Sequence, residues 1–182
     1  MKTKSTIILV TIFTLIIIGC YVISSSPDIL IKKDFNGDGV AVLNFSTQGN
    51  FMSLGTGKIA ADKLTDAMFL IGKFNVIDRS NVNKTQNSLE IKSTEFLSAD
   101  DIQKLGLKLR ANYLVLGIVQ QVGGDTYVDS DSKKELYISF RIISVLNSDV
   151  VGLGRYSSNY YNNIIEKIET MMNEIVTKMK KD

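Results

Sequence analysis

The sequence predicts one α/β domain, with a mixed sheet of about five strands and three to four helices packed on it. Apolar runs of strand length alternate with segments of helical periodicity, in the order strand, helix, strand, helix, strand, strand, strand, helix. The 182 residues are 45% hydrophobic and 22% charged, with 13 Gly and one Pro. This is the composition of one ordinary globular domain.

The first strand and helix are predicted from residues 40 to 72. VAVLNF (40–45) is an apolar run between turn residues, which is typical of a strand buried on both faces. A loop is expected over residues 46–57. Residues 58–71 then form a helix, because their apolar side chains recur at helical spacing. Gly72 stands where a left-handed helix cap belongs.

The middle of the chain predicts a second strand at FNVIDR (74–79), and then a short helix or turn at SNVNKTQN. Ser98 is the expected N-cap of a further helix, because carboxylates follow it in the first turn. ANYLVLGIVQQV (111–122) gives the strongest strand signal.

The last third of the sequence predicts an antiparallel meander and a final helix. Residues 136–146 and 150–158 have strand character, and a short Asn-Ser-Asp turn joins them. Residues 163–180 carry a wide apolar stripe at helical spacing. We expect this helix to pack on the sheet, with a Met-rich groove for a partner as the alternative.

The N-terminus predicts export to the cell envelope. Basic residues precede an uncharged apolar stretch that ends at Cys20. Ile17-Ile18-Gly19-Cys20 resembles the lipobox of bacterial lipoproteins, in which the Cys becomes the lipidated mature N-terminus. We expect a signal peptide over residues 1–19, a lipid-anchored tether over 20–37 and the domain over 38–182. An uncleaved membrane anchor is the alternative, and either way residues after about 24 lie outside the inner membrane.

Composition excludes several classes of function. The chain has no His and no Trp, which excludes His-dependent bases, Ser-His-Asp triads and His-ligated zinc. A lone Cys forms neither an internal disulfide nor a multi-thiolate site. Nucleic-acid binding would need a basic stripe, and the cluster Lys178, Lys180, Lys181 instead ends a helix.

The stretch Gly55-Thr56-Gly57-Lys58-Ile59-Ala60 imitates a dinucleotide-binding fingerprint, with Asp78 at the end of the next strand. The fingerprint needs its first Gly directly after a strand, whereas a long loop separates Phe45 from Gly55. An exported domain would also lack the cytoplasmic dinucleotide pool. We therefore expect no cofactor and keep a nucleotide-binding protein as an alternative.

The stretch DFNGDG has the oxygen-ligand spacing that opens a calcium loop, with Asp34, Asn36 and Asp38 at its first three ligand positions. The twelfth position, where a bidentate Glu is required, is Phe45. The residues between are needed for the first buried strand. We expect no metal and interpret DFNGDG as a bend between tether and domain.

Carboxylate pairs are the remaining catalytic option. Asp125, Asp129 and Asp131 share one polar loop, and Asp100 with Asp101 lie in the first turn of a helix. Loops and helix starts attract Asp for structural reasons. We therefore expect no enzymatic activity.

FNVIDR (74–79) and ANYLVLG (111–117) resemble the curli-secretion lipoprotein (CsgG) family, which includes the LpoB-like activator lipoproteins of penicillin-binding proteins. The resemblance covers about residues 38–180. Asn112 stands where the family commonly has Asp, and Asn147-Ser148 where it has Thr-Gly. It implies an α/β domain on a lipid anchor, without known catalysis.

This resemblance implies a non-enzymatic envelope lipoprotein that acts as an adaptor or assembly factor for a secretion or cell-wall machine. We expect it to face the periplasm, held at the outer membrane by lipid on Cys20, with an envelope protein or a second copy as partner and no nucleic acid. An oligomeric CsgG-type channel subunit is the alternative. Its two membrane hairpins would need roughly forty residues of alternating sequence, which residues 80–97 and 120–135 do not supply.

Overall fold

The computed structural model describes residues 26–49, 55–91, 93–122, 134–160 and 163–181. These residues form a mixed α/β domain with six strands and four helices, which is the fold class that the sequence predicts. In chain order the elements are β1 (Asp28–Ile31), β2 (Val40–Val42), β3 (Ser46–Gln48), α1 (Thr56–Leu70), α2 (Arg79–Ser88), α3 (Ala99–Leu109), β4 (Tyr113–Val122), β5 (Lys134–Ser144), β6 (Val150–Tyr160) and α4 (Ile164–Lys181).

The strands form a single sheet in the order β1-β6-β5-β4-β2. β3 pairs with the same edge of β4 as β2 does, but further along that strand. β2 and β3 run parallel to β4, because α1, α2 and α3 provide the crossover that a parallel pair needs. The predicted meander of β4, β5 and β6 is confirmed. We call the end of the sheet that holds Val40, Tyr113 and Ser144 the basal end.

Helices cover the two faces of the sheet unequally. α1 and α4 pack along one face, where Val115, Ile138 and Met171 belong to the larger of two hydrophobic clusters. α2 and α3 pack on the other face over β2, the beginning of β4 and the end of β5, where Leu43, Leu114 and Ile143 join the smaller cluster. Because side chains alternate along a strand, each of β4, β5 and β6 contributes to both faces.

The predicted tether over residues 20–37 was wrong at Asp28–Ile31, which forms the edge strand β1. This strand pairs antiparallel with β6, so that Ile29 lies opposite Gly154 and Ile31 opposite Gly152. A Cβ at Gly154 would lie 2.3 Å from the ring of Phe140 in β5. The glycines therefore leave room for large side chains on the face that α1 and α4 cover. Because β1 belongs to the sheet, the folded domain begins before the predicted boundary at residue 38.

The predicted strand at 74–79 was also wrong in extent. Only Val76 pairs with the sheet, as a single bridge to Val40. The Asp78 side chain accepts hydrogen bonds from the backbone N–H groups of Ser80 and Asn81. A hydrogen bond with the Ser80 side chain, together with these backbone bonds, lowers the pKa of the Asp78 carboxyl. Because Asp78 caps a helix in this way, the chain leaves the sheet and α2 begins at Arg79. The predicted loop over residues 46–57 was also wrong in part, because its first residues form β3.

The expected helix ends at Gly72 and Ser98 are confirmed. Gly72 has φ +69°, the left-handed conformation that follows the end of α1. Ser98 and Asp101 form a reciprocal capping box at the start of α3. The hydrogen bonds from Ser98 lower the pKa of the Asp101 carboxyl.

A side-chain hydrogen bond also ties the meander to the last helix. The hydroxyl of Tyr156 in β6 donates to the Glu174 carboxylate of α4. Burial and the nearby Glu174 raise the pKa of Tyr156 to about 12. The phenol therefore stays neutral at ordinary pH and remains a donor to that carboxylate.

Candidate functional site

Part of the sheet face that carries α2 and α3 is left uncovered by the described helices. Beyond the first residues of β4, side chains of β4, β5, β6 and β1 point outward from this face. We call this surface the open face. It is defined by Leu30, Ile118, Tyr137, Ser139 and Leu153.

Register places the open-face side chains in rows across the strands. Leu30 lies opposite Leu153, and Leu153 lies opposite Arg141. In the next row, Ile118 lies opposite Ser139. Leu30, in the edge strand β1, is 71% exposed, and Leu153, in the neighbouring strand β6, is 51% exposed. Together they form adjoining apolar surface on this face.

A shallow cavity of about 320 Å³ lies on this face. Its floor includes Leu116, Ile118 and Tyr137, and its wall includes Thr94 and Glu95. The neighbouring side chain, Phe96, is 86% exposed. The cavity and its rim therefore present aliphatic and aromatic surface together.

Fixed polar contacts hold the rim of the open face. Arg141 Nη2 donates to the Glu95 carbonyl at 2.9 Å, and Gln48 Nε2 donates to Glu95 Oε1 at 2.8 Å. Arg155 pairs with Asp28 at 2.9 Å, although both side chains are mostly exposed. These contacts position the wall of the cavity, while the Arg155 pair contributes little stability.

The chemistry of the open face suits contact with another protein. Tyr and Arg are enriched among the energetically important residues of protein interfaces, and the buried core of an interface is more apolar than its rim. Among the residues that the structure describes, no three His, Cys, Asp or Glu side chains are grouped so as to hold a metal ion.

Gly57 of the dinucleotide-like stretch serves close packing. It lies in the first turn of α1, and a Cβ there would approach the Phe45 carbonyl oxygen to 1.9 Å. A polar groove of about 470 Å³ lies beside it, lined by Lys58 and Gln86 among others. Asp78, the acid expected to follow the second strand, is engaged as the cap of α2.

The calcium-like stretch forms a bend, as the sequence indicates. The backbone N–H of Asp38 donates to Asn36 Oδ1, and Asn75 Nδ2 donates to Asp38 Oδ1. Gly37 and Gly39 have φ of +75° and +62°. Phe45, at the twelfth position, lies in the larger hydrophobic cluster.

Of the other predicted positions, Asp100 and Asp101 lie in the first turn of α3. Four predicted residues lie outside the part of the chain that the structure describes: Cys20, Asp125, Asp129 and Asp131.

The sequence reasoning missed a polar network around Arg79. Its Nε lies 2.7 Å from Asp62 Oδ1. Its two Nη groups donate to the Val42 carbonyl and to Asn44 Oδ1. All three partners are distant in sequence, so no local pattern could have revealed them. The sequence did contain a pattern that indicates the open face, because polar Ser139 and Arg141 alternate with apolar residues in β5.

Comparison with known proteins gives similarity in structure only, since no family model and no curated protein matches the chain. A single-residue variant of the PelC dodecamer from Paraburkholderia phytofirmans superposes with TM-score 0.58 at 14% identity, covering 84% of this chain and 96% of that one. LpoB of E. coli gives 0.54 at 13% identity, covering 70% and 60%. Lipoprotein GNA1162 from Neisseria meningitidis gives 0.54 at 15% identity, covering 80% and 99%.

The domain has an LpoB-like fold. At these identities the likeness shows the fold alone, so membership of the CsgG family stays a prediction. No helix within the described ranges combines the length and apolar character needed to span a membrane.

Proposed function

We propose that this protein is a non-enzymatic envelope lipoprotein, anchored by lipid on Cys20 at the outer membrane and facing the periplasm. Its α/β domain acts as an adaptor or assembly factor by docking through the open face onto a protein of a secretion or cell-wall machine. The lipobox-like sequence and the LpoB-like fold support the proposal. GNA1162, which has a similar fold, is itself described as a lipoprotein.

The observation that carries the proposal is the exposure of apolar side chains on the open face. Burial against a partner stabilises a complex by about 25 cal/mol per Å² of apolar surface. Four strands spaced by ~4.8 Å make this patch on the order of 15 Å wide. A stable interface buries roughly 800 Å² on each partner, which is more than a patch of this width provides. We therefore include the rim around Phe96 and Glu95 in the same contact.

A partner protein fits this face better than a second copy of the chain. Arg141 and Arg155 flank the exposed leucines, which gives the mixed charged and apolar character of non-obligate interfaces. Permanent homomeric interfaces are more uniformly hydrophobic. Self-association is the competing arrangement, and PelC, of similar fold, is described as a dodecamer.

Charge placed on the open face is expected to separate the protein from its partner. We expect full-length protein, extracted in mild detergent, to co-purify with a second polypeptide. Leu153→Asp should lose that polypeptide, because a carboxylate would be buried unpaired in the contact. Leu70→Asp is the matched control, since Leu70 is 80% exposed on α1, which packs on the opposite face.

Two results would contradict the proposal. Equal recovery of the partner with Leu153→Asp and Leu70→Asp would show that the open face is not the contact. A complex that contains only copies of this chain, and that Leu153→Asp dissociates, would replace the adaptor function by self-association.

The lipid anchor has its own test. We expect cells given radioactive palmitate to label the wild-type protein and not Cys20→Ala, because Cys20 carries the acyl group. Label retained by Cys20→Ala would contradict lipidation.

A further inference from the structure

A second exposed apolar surface lies at the basal end of the sheet. Leu107 in α3 is 77% exposed, and Leu146 in the turn between β5 and β6 is 89% exposed. Both line one groove of about 520 Å³, together with Ala111 and Val145. We call this the basal groove. It is separate from the open face, which lies further along the strands.

Basic side chains surround the basal groove. Lys104 lies one helical turn before Leu107, and Arg110 follows one turn after it, both exposed. Lys108 donates from Nζ to Ser88 Oγ at 2.7 Å on the flank of the same helix. α1 and α4 also end here, since Lys73, beyond the end of α1, donates from Nζ to the Lys180 carbonyl at 2.7 Å.

The segment after β1 adds two more cations to this end. Tyr113, which lines the groove, donates its hydroxyl to the Asp34 carbonyl at 3.1 Å. Lys32 and Lys33 precede Asp34 and are exposed.

Within the described part of the chain, the carboxylates at the basal end are fewer than the cations. They are Asp34, Asp38, Glu90 and Asp149. Two of them already accept side-chain hydrogen bonds, Asp38 from Asn75 and Asp149 from Asn147. The described residues of this end therefore carry a net positive charge, although the mature chain as a whole is close to neutral.

Helix dipoles explain why some of these cations lie at the basal end, but they do not explain why the two leucines are exposed there. Lys108 and Lys180 lie in the last turns of their helices, where cations are favourable. Leu107 and Leu146 contribute little to the folded core at their exposure. Two exposed leucines in a concave groove between cations are what an amphipathic acidic ligand requires.

We propose that the basal groove binds an acidic amphipathic segment of a protein partner. Apolar side chains of that segment insert between Leu107 and Leu146, and its carboxylates pair with Lys104 and Arg110. The inference rests on the proposed docking function, to which it adds a second contact with a stated chemistry.

The path of the chain favours a protein segment over a membrane surface. β1 runs from Asp28, in the middle of the sheet, to Ile31 near the basal end. Asp28, the first residue of β1, therefore lies farther from the basal end than Ile31 does. We infer that a lipid attached ahead of β1 leaves the basal groove on the side away from the membrane.

Fluorescence anisotropy with a defined probe tests the proposal. The probe is a labelled model helix of about 18 residues, long enough to be helical, with Leu at i, i+3, i+4 and i+7 and Glu on the flanks. Its control is a scrambled peptide of the same composition. We expect full-length protein in detergent micelles to bind the probe, and roughly tenfold more weakly at high salt because ion pairs are screened.

Variants at the groove assign the contact. We expect Leu146→Asp and Lys104→Glu each to weaken binding at least about tenfold, through lost apolar burial and charge reversal. Lys58→Glu is the charge-matched control, because Lys58 is exposed at the start of α1, away from the basal end. It should bind the probe like the wild type.

Several outcomes would overturn the proposal. They are no binding of the probe, equal binding of the scrambled peptide, and unchanged binding by Leu146→Asp. Sedimentation with phosphatidylglycerol vesicles that Leu146→Asp abolishes, without binding of the probe, would assign the groove to a membrane instead. The open-face variant Leu153→Asp should bind the probe normally, so failure here and failure of the proposed function are distinguishable.

Discussion

Replacing Arg79 by alanine is expected to lower the free energy of unfolding by about 2–3 kcal/mol. Its side chain is 13% exposed and donates to Asp62, Val42 and Asn44. Truncation would leave the Val42 carbonyl and the Asn44 amide oxygen without this donor at the end of β2. The Asp62 pair adds less, because that carboxylate is 41% exposed and partly screened by solvent.

Urea unfolding of three variants would measure this effect. Arg79→Lys should recover only part of the loss, because an ammonium group cannot reach three separated acceptors in the fixed geometry of a guanidinium. Arg155→Ala is the control, since its pair with Asp28 is mostly exposed and should cost less than about 1 kcal/mol. Equal losses in Arg79→Ala and Arg155→Ala would contradict the role given to Arg79.

Replacing Gly57 by alanine is expected to destabilise the domain by about 1–3 kcal/mol, the usual cost of overpacking. The added Cβ would lie 1.9 Å from the Phe45 carbonyl oxygen, which is a backbone atom and cannot rotate away. The Phe45 N–H also donates to the Gly57 carbonyl at 3.3 Å, so the two segments are tied together. α1 would have to move away from the segment that follows β2.

Thermal and urea unfolding of Gly57→Ala should be compared with Gly72→Ala. At Gly72 an added Cβ meets nothing within 4 Å, and only the left-handed φ of +69° opposes it. Its cost should be about 1 kcal/mol, the penalty for an L-residue in that region. Wild-type stability of Gly57→Ala would contradict the packing role.

The parts of the fold that could be predicted from the sequence are those fixed by local signals. The capping residue Ser98 and the left-handed Gly72 mark helix ends through their own hydrogen bonds and backbone angles. The meander follows from long apolar runs joined by a short turn. These features depend on residues close in sequence, so a single chain reveals them.

The features that could not be predicted depend on distant pairing. β1 is four residues long, and its partner strand β6 lies more than a hundred residues away in sequence. The glycines of β6 leave room for the large side chains that lie opposite them. The strand expected at 74–79 was reduced to one bridge because Asp78 caps α2. The open face likewise depends on how far α2 and α3 extend over the sheet, which periodicity alone does not give.

Site-specific photo-crosslinking tests the central claim most directly. A benzophenone amino acid placed at Leu153 in the full-length protein, in its native envelope, should give one discrete crosslink to another envelope protein. The same amino acid at Leu70 should give none of that product. Crosslinks of equal yield from both positions, or none from Leu153 in protein that still fractionates with the membrane, would contradict docking through the open face.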